Sequence, residues 1–233
     1  MNHANDKSLE SWIWDAACSI RGAQEAPKFK DFILPLIFTK RLCDVFDDEL
    51  NRIAAEVGSR AKAFKLVERD HKLVRFYLPL KPANPDESVW SVVRKLTGKI
   101  GESLTTHLHD IAKANPALEG IIDRMDFNAT THGQRDIDDD RLSNLIERVS
   151  EKRLGLSDVE ADIIGRSYEY LIRKFAEGSG QSAGDAGPVA ARRVVRVGAA
   201  ADRRRRRGGG REEALSRGQG GQSGGRGGQV LAA

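Results

Sequence analysis

The chain is poor in the residues that many chemistries require. Cysteine occurs twice in 233 residues, as Cys18 and Cys43. Two thiols on apolar helical stretches build no disulfide framework and read as buried, reduced side chains of a soluble cytoplasmic protein. No apolar run is long enough to span a bilayer, since the longest, Phe32 to Phe38, is short and contains Pro35. The first seven residues are polar and offer no secretory leader. There is no Gly-x-Gly-x-x-Gly after a strand, no Walker-type loop and no Gly-x-Ser-x-Gly elbow, and strands do not alternate with helices. These absences exclude a membrane protein, a disulfide scaffold, and a nucleotide or nucleophile-elbow enzyme of a recognised kind.

Aromatic residues and lysine stop early. All 14 aromatics lie at or before Phe175 and all 13 lysines at or before Lys174. Arg, Gly and Ala supply 32 of the last 49 residues. Residues 1–184 carry a charge balance of −3 and residues 185–233 one of +7, so the overall +4 is made by the tail. A segment without aromatics and with few large aliphatics cannot offset an ordering cost of roughly 1–2 kcal/mol per residue. The expected organisation is a flexible stretch over 1–7, a helical domain over 8–177, and a linker with a disordered basic tail over 178–233.

Periodicity predicts a mainly α fold, an N-terminal helical bundle. Ser8 caps a first helix whose stripe is Leu9, Trp12, Ile13, Ala16, Ala17 and Ile20, with Gly22 ending it. A second helix runs from Phe29 to Val57, apolar nearly all round at its centre and closed by Gly58; Pro35 is expected to kink or restart it. Val74 to Leu78, ended by Pro79, reads as a short extended segment at a sheet edge. Further helices are predicted over Ser88 to Leu96, over Ile100 to Ala114, and briefly after Pro116. After a polar, turn-rich stretch, Asp140 is the expected cap of a helix that buries Leu142, Leu145, Ile146 and Val149. Ser157-Asp-Val-Glu160 has capping-box spacing and opens a helix carrying Val159, Ile163, Ile164, Tyr168, Leu171 and Phe175.

Four groups invite a functional reading. His107 and His109 are two apart on a helix, point in different directions, and read as surface or capping residues rather than metal ligands. Asp136, Asp138, Asp139 and Asp140 lack the spacing of a calcium loop and read as a solvated loop and helix cap. Trp12 and Trp14 fall on different sides of one helix, one for the core and one for a partner surface. Lys28, Lys30, Lys40 and Arg41 flank the second helix, where they are either simply solvated or meet phosphates. No catalytic, cofactor or metal residue is assigned.

Three stretches carry a resemblance. Leu9-Glu-Ser-Trp12 through Ile20-Arg-Gly22 is the first. Phe32-Ile-Leu-Pro-Leu-Ile-Phe-Thr-Lys-Arg-Leu-Cys-Asp-Val-Phe46 is the second, and is close to the signature VLPLIFLKRLSDVF. Asp162-Ile-Ile-Gly165 through Tyr168-Glu-Tyr-Leu171 to Phe175-Ala176 is the third, and Asn115-Pro-Ala-Leu-Glu-Gly120 matches an Asn-Pro-x-Leu-x-Gly turn. Over about residues 8–184 the chain resembles the N-terminal domain of the modification, or DNA adenine methyltransferase, subunit of type I restriction–modification systems. The resemblance implies a domain that packs on a specificity subunit and a second modification subunit and closes over DNA. The intact family transfers a methyl group from S-adenosylmethionine to adenine N6 after flipping the base.

In that family a Gly-Glu-Phe-Tyr-Thr-Pro stretch comes next, followed by an Asp-Pro-Ala-Cys-Gly-Ser-Gly cofactor loop and an Asn-Pro-Pro-Phe/Tyr motif. Here Gly184 is followed by Asp185-Ala-Gly-Pro-Val-Ala-Ala-Arg-Arg193. Such a tail is what a GC-rich gene yields out of frame, so the expectation is a truncated or frameshifted subunit that holds no cofactor and is inactive alone. The alternative is a helical nucleic-acid-binding module with a genuine Arg/Gly-rich arm, supported by Arg203 to Arg207 but lacking interleaved aromatics. A third is a purely structural interaction protein.

Overall fold

The computed structural model describes residues 8–19, 26–163, 165–167, 169–171 and 173, with side chains in the second helix described from Phe32 onward. The chain divides into two units, Met1–Ala199 and Ala200–Ala233; every described residue belongs to the first. Ile20, Gly22, Ile164, Tyr168, Phe175 and the basic tail lie outside what is described, as do the side chains of Lys28 and Lys30.

The protein is mainly helical. Helix α1 spans Leu9–Ser19, and Ser8 accepts from the Ser11 N–H at 3.2 Å, so the expected cap is in place. Its apolar stripe is buried at Trp12, Ile13, Ala16 and Ala17. Helix α2 spans Ala26–Val57. Of the kink or restart expected at Pro35, the restart does not occur, because one helix runs through it. Proline removes a single hydrogen bond, and around it Ile33, Leu36 and Ile37 are fully buried, so packing holds the ladder together. Gly58 closes α2 with φ +87°, where a side chain would be strained, and its N–H reaches the Ala54 carbonyl at 2.8 Å.

Helix α3, Arg60–Arg69, was not foreseen. Only Ala63 and Val67 of it are buried, which is too thin a stripe for periodicity to register; Ser59 caps it through the Lys62 N–H. A 3₁₀ turn at His71–Leu73 follows. The segment 74–78 bends and then extends without joining a sheet. Asn115 takes the place of the missing strand. Its Oδ1 accepts from the Tyr77 N–H at 2.8 Å and its Nδ2 donates to the Tyr77 carbonyl at 2.7 Å. A side-chain amide thus satisfies both backbone groups that a sheet edge would leave open.

Helix α4 is one turn, Ser91–Arg94, shorter than the predicted Ser88 to Leu96, while α5 spans Ile100–Ala114 as expected. The stretch after Pro116 forms turns instead of a helix. A two-residue-strand hairpin pairs Thr130–Thr131 with Gln134–Arg135, with Gly133 at φ +78° in its turn. Helix α6, Asp139–Ser150, buries Leu142, Leu145, Ile146 and Val149 as predicted. Its cap is Asp138 and not Asp140: the Asp138 carboxylate accepts from the Arg141 N–H at 2.8 Å. Ser157 to Glu160 turns without opening a helix, and helical backbone resumes at Ile163.

A single apolar cluster joins α1, α2, α5 and α6 and takes in Ile163 and Leu171. Trp12 lies in it and donates from Nε1 to the Arg148 carbonyl at 2.8 Å, tying α1 to the end of α6. Trp14 is half-buried and packs against the same cluster, so it is not the free outward ring expected. Among the described residues no helix is long and apolar enough to cross a membrane.

Candidate functional site

The polar face of α2 is a ladder of carboxylates spaced three and four residues apart, Asp44, Asp47 and Asp48, with Lys40 one turn before. Helical spacing at i, i+3 and i+4 places them on one side. Opposite them lie two irregular segments, residues 86–90 and 153–158, whose backbone N–H groups have no ladder of their own.

Each acid has taken up its neighbours. Asp44 pairs with Lys40 and accepts from the Leu154 N–H at 2.7 Å. Asp47 accepts from Arg60 at 2.6 Å, from the Ser88 hydroxyl at 2.7 Å, and from the Val89 N–H. Asp48 pairs with Arg153 and accepts from the Leu156 N–H at 2.6 Å. On a neighbouring position Glu49 accepts from the Arg75 N–H at 2.8 Å. Gly155 lies tight against the ladder where the second segment crosses: a Cβ there would stand 2.5 Å from Asp48 Oδ2, so that carboxylate would have to move. The ladder pins two loops to one helix.

The electrostatics follow from burial. Desolvation pushes the Asp44 carboxyl above the usual carboxylate range, against the opposing pull of Lys40 and the Leu154 N–H. Burial likewise lowers Arg41, whose guanidinium donates to the carbonyls of Leu154 and Gly155. The Asp48 carboxylate, by hydrogen bonding, raises Arg153. Burial raises the Cys43 thiol well above its ordinary value, which removes thiolate reactivity at neutral pH. Lys40 also lies 5.6 Å from the Trp90 ring centroid, and Trp90 Nε1 donates to Ser150 Oγ at 2.7 Å.

This corrects one expectation. Lys40 is 4 % exposed and paired, and Arg41, half-buried, is spent on two carbonyls, so neither is a free cation available to phosphate. The pattern Lys-Arg-x-x-Asp-x-x-Asp-Asp sets Asp44 one turn from Lys40, but it does not show that Arg41 goes to the Leu154 and Gly155 carbonyls or which loops the acids hold.

The other groups resolve separately. Asp138 caps α6, and Asp139 pairs with Arg135 at 2.8 Å and accepts from the Gly101 N–H. Asp136 donates its N–H to the Ala129 carbonyl. No group of three or more His, Cys, Asp or Glu able to hold a metal ion occurs among the described residues. His109 is exposed and its Nε2 lies 2.9 Å from the Asp123 carbonyl oxygen. His107 is half-buried, and burial lowers its pKa below the ordinary 6.5, against Asp110.

His107 therefore has a pH signature. Below about pH 6.5 the unfolded imidazole binds more protons than the folded one, so stability is present above that pH and is lost as pH falls through the lowered folded value. Urea midpoints from about pH 7 to 5 should fall with acid, and His107→Gln should flatten that slope. An unchanged slope in the variant would remove His107 as its source.

With this geometry in place, comparison with known proteins defines the class. Residues 9–149 match the HsdM N-terminal domain, which covers α1 through α6, and the chain belongs to that family. It is also 26% identical over 189 residues to the type I restriction enzyme MjaIX methylase subunit of Methanocaldococcus jannaschii, a match covering 76% of this chain and 32% of that protein. The chain thus spans about a third of the length of that relative.

Proposed function

We propose that this domain is the docking part of a type I DNA methylase subunit. It packs against a specificity subunit and a second modification subunit and closes over DNA. The transfer of a methyl group from S-adenosylmethionine to adenine N6 is carried by residues that these 233 do not include. The family match over 9–149 is the observation that carries the reading. The internal use of the α2 acids and cations supports it, because it leaves the signature helix as framework and not as chemistry.

Moving a methyl group from a sulfonium to an exocyclic amine needs a cofactor pocket and polar groups that hold the adenine nitrogen. The sequence holds neither the Asp-Pro-Ala-Cys-Gly-Ser-Gly loop nor an Asn-Pro-Pro-Phe/Tyr motif. Titration calorimetry of the purified chain with S-adenosylmethionine should give no saturable heat, and micromolar saturable binding would overturn the assignment of chemistry elsewhere. Co-elution of the chain with a specificity subunit on size exclusion is the expected positive result. Retention of DNA with no co-elution would favour instead the module with an Arg/Gly-rich arm, to which Arg203 to Arg207 lend support.

A further inference from the structure

Many exposed cations of the described domain already have a carboxylate. Arg52 is paired with Glu56, Lys81 with Glu68, Arg94 with Glu147, Lys95 with Glu87, and Arg148 with Glu151. Among the described residues, the exposed lysines and arginines whose side chains form no hydrogen bond, ion pair or ring contact are Lys62, Lys65, Arg69, Lys72, Lys113 and Arg124. The first four are consecutive cations on α3 and the 3₁₀ turn behind it.

They form a row. At about 100° per residue, Lys62, Lys65 and Arg69 fall on one side of α3, facing away from the buried Ala63 and Val67. At a rise of about 1.5 Å per residue, Lys62 to Arg69 extends over roughly 10 Å, and Lys72 follows in the 3₁₀ turn just past the extended Asp70. The acids beside the row are engaged. Glu68 is paired with Lys81 at 2.6 Å, and Asp70 accepts from the Lys72 N–H at 3.0 Å. The segment carrying Lys72 is held by the His71 ring stacked on Tyr77 at 3.7 Å. Leu66, 39 % exposed, interrupts the charges with a small apolar surface.

We propose that this α3 row, Lys62, Lys65, Arg69 and Lys72, is a sequence-independent contact surface for the phosphate backbone of duplex DNA. The inference rests on the reading that the domain closes over DNA and sharpens it to one helix, in place of the Lys40–Arg41 flank. Unpaired, strongly hydrated cations in a line meet a polyanion that presents one charge per about 1.7 Å of axis, and contact releases condensed counterions. Lysine-rich contacts of this type position a duplex without reading bases. An acidic protein surface would be met equally well by isolated cations; a continuous row suits a continuous line of phosphates.

The test uses the full chain with Arg203–Arg207 changed to Gln, so that the tail does not mask the domain. Fluorescence anisotropy with a short labelled duplex is recorded from about 50 to 200 mM salt. Adding K62Q/K65Q/R69Q/K72Q should make the log K against log salt slope shallower by about 3.6 and weaken binding at least ~tenfold, at ~0.9 of slope per phosphate contact. K62R/K65R/K72R should retain the slope, and K113Q/R124Q should leave it nearly unchanged. The proposal is overturned if the four-residue variant, with its thermal midpoint preserved, keeps the parental slope. It is also overturned if K113Q/R124Q loses as much, if poly-glutamate of equal charge displaces the duplex as well as unlabelled DNA does, or if the parent does not bind duplex. Failure to co-elute with a specificity subunit would sink the docking reading and leave this result standing.

Discussion

Asp44→Ala is expected to lower the unfolding free energy by about 3–5 kcal/mol, read from urea midpoints at neutral pH. The variant leaves the Lys40 ammonium, 4 % exposed, without its carboxylate, and deprives the buried Leu154 N–H of its acceptor. An uncompensated buried charge is the larger of the two losses; an unsatisfied N–H adds about 1–3 kcal/mol. The pair as such is not where the stability comes from. Because burial raises the Asp44 pKa in the fold, its contribution is fully present below the ordinary carboxylate range and diminishes as pH rises through the raised folded value. Lys40→Met combined with Asp44→Leu should accordingly recover much of the single-variant loss, falling short by the Leu154 N–H. A loss below about 1 kcal/mol for Asp44→Ala would mean that Lys40 finds water, and that the ladder does not hold residues 153–158 as described.

Phe46→Ala should cost about 3–5 kcal/mol as well, for a different reason. The ring is 1 % exposed, with edge contacts to Phe64 at 6.3 Å and Tyr77 at 6.2 Å between centroids. Its removal opens a cavity where α2, α3 and the segment before Pro79 meet. Leu156→Ala is the comparison, because at 39 % exposure its loss should stay within about 0.5 kcal/mol. Equal effects from the two variants in thermal or urea unfolding would show that Phe46 does not unite these elements.

Much of the helical framework was legible because the burial it depends on is periodic. The α1 stripe, the span of α5 and the buried face of α6 follow from apolar spacing alone, since a helix that must hide one face writes that face into its sequence. Helix α3 escaped because Ala63 and Val67 are its only fully buried residues, Phe64 packs on Phe46 but is half-buried, and Leu66 is exposed. The edge strand predicted at 74–78 failed from the opposite cause. Its residues suit a strand, but its backbone partner is the side chain of Asn115, 38 positions away, and no local pattern announces that.

By itself the sequence determined the helical class, the centrality of the Phe32 to Phe46 segment, and the family resemblance carried by that segment. All three depend on residue identity and short-range spacing. Tertiary structure alone decided what the charges do. Lys40 and Arg41 look like free cations in the sequence and are consumed, while Lys62, Lys65, Arg69 and Lys72 look like ordinary surface and are left unpaired. The reason is physical: whether a cation is available depends on which carboxylate or carbonyl the fold brings within about 3 Å, and Leu154, Gly155 and Asp48 reach their partners across more than a hundred residues of chain.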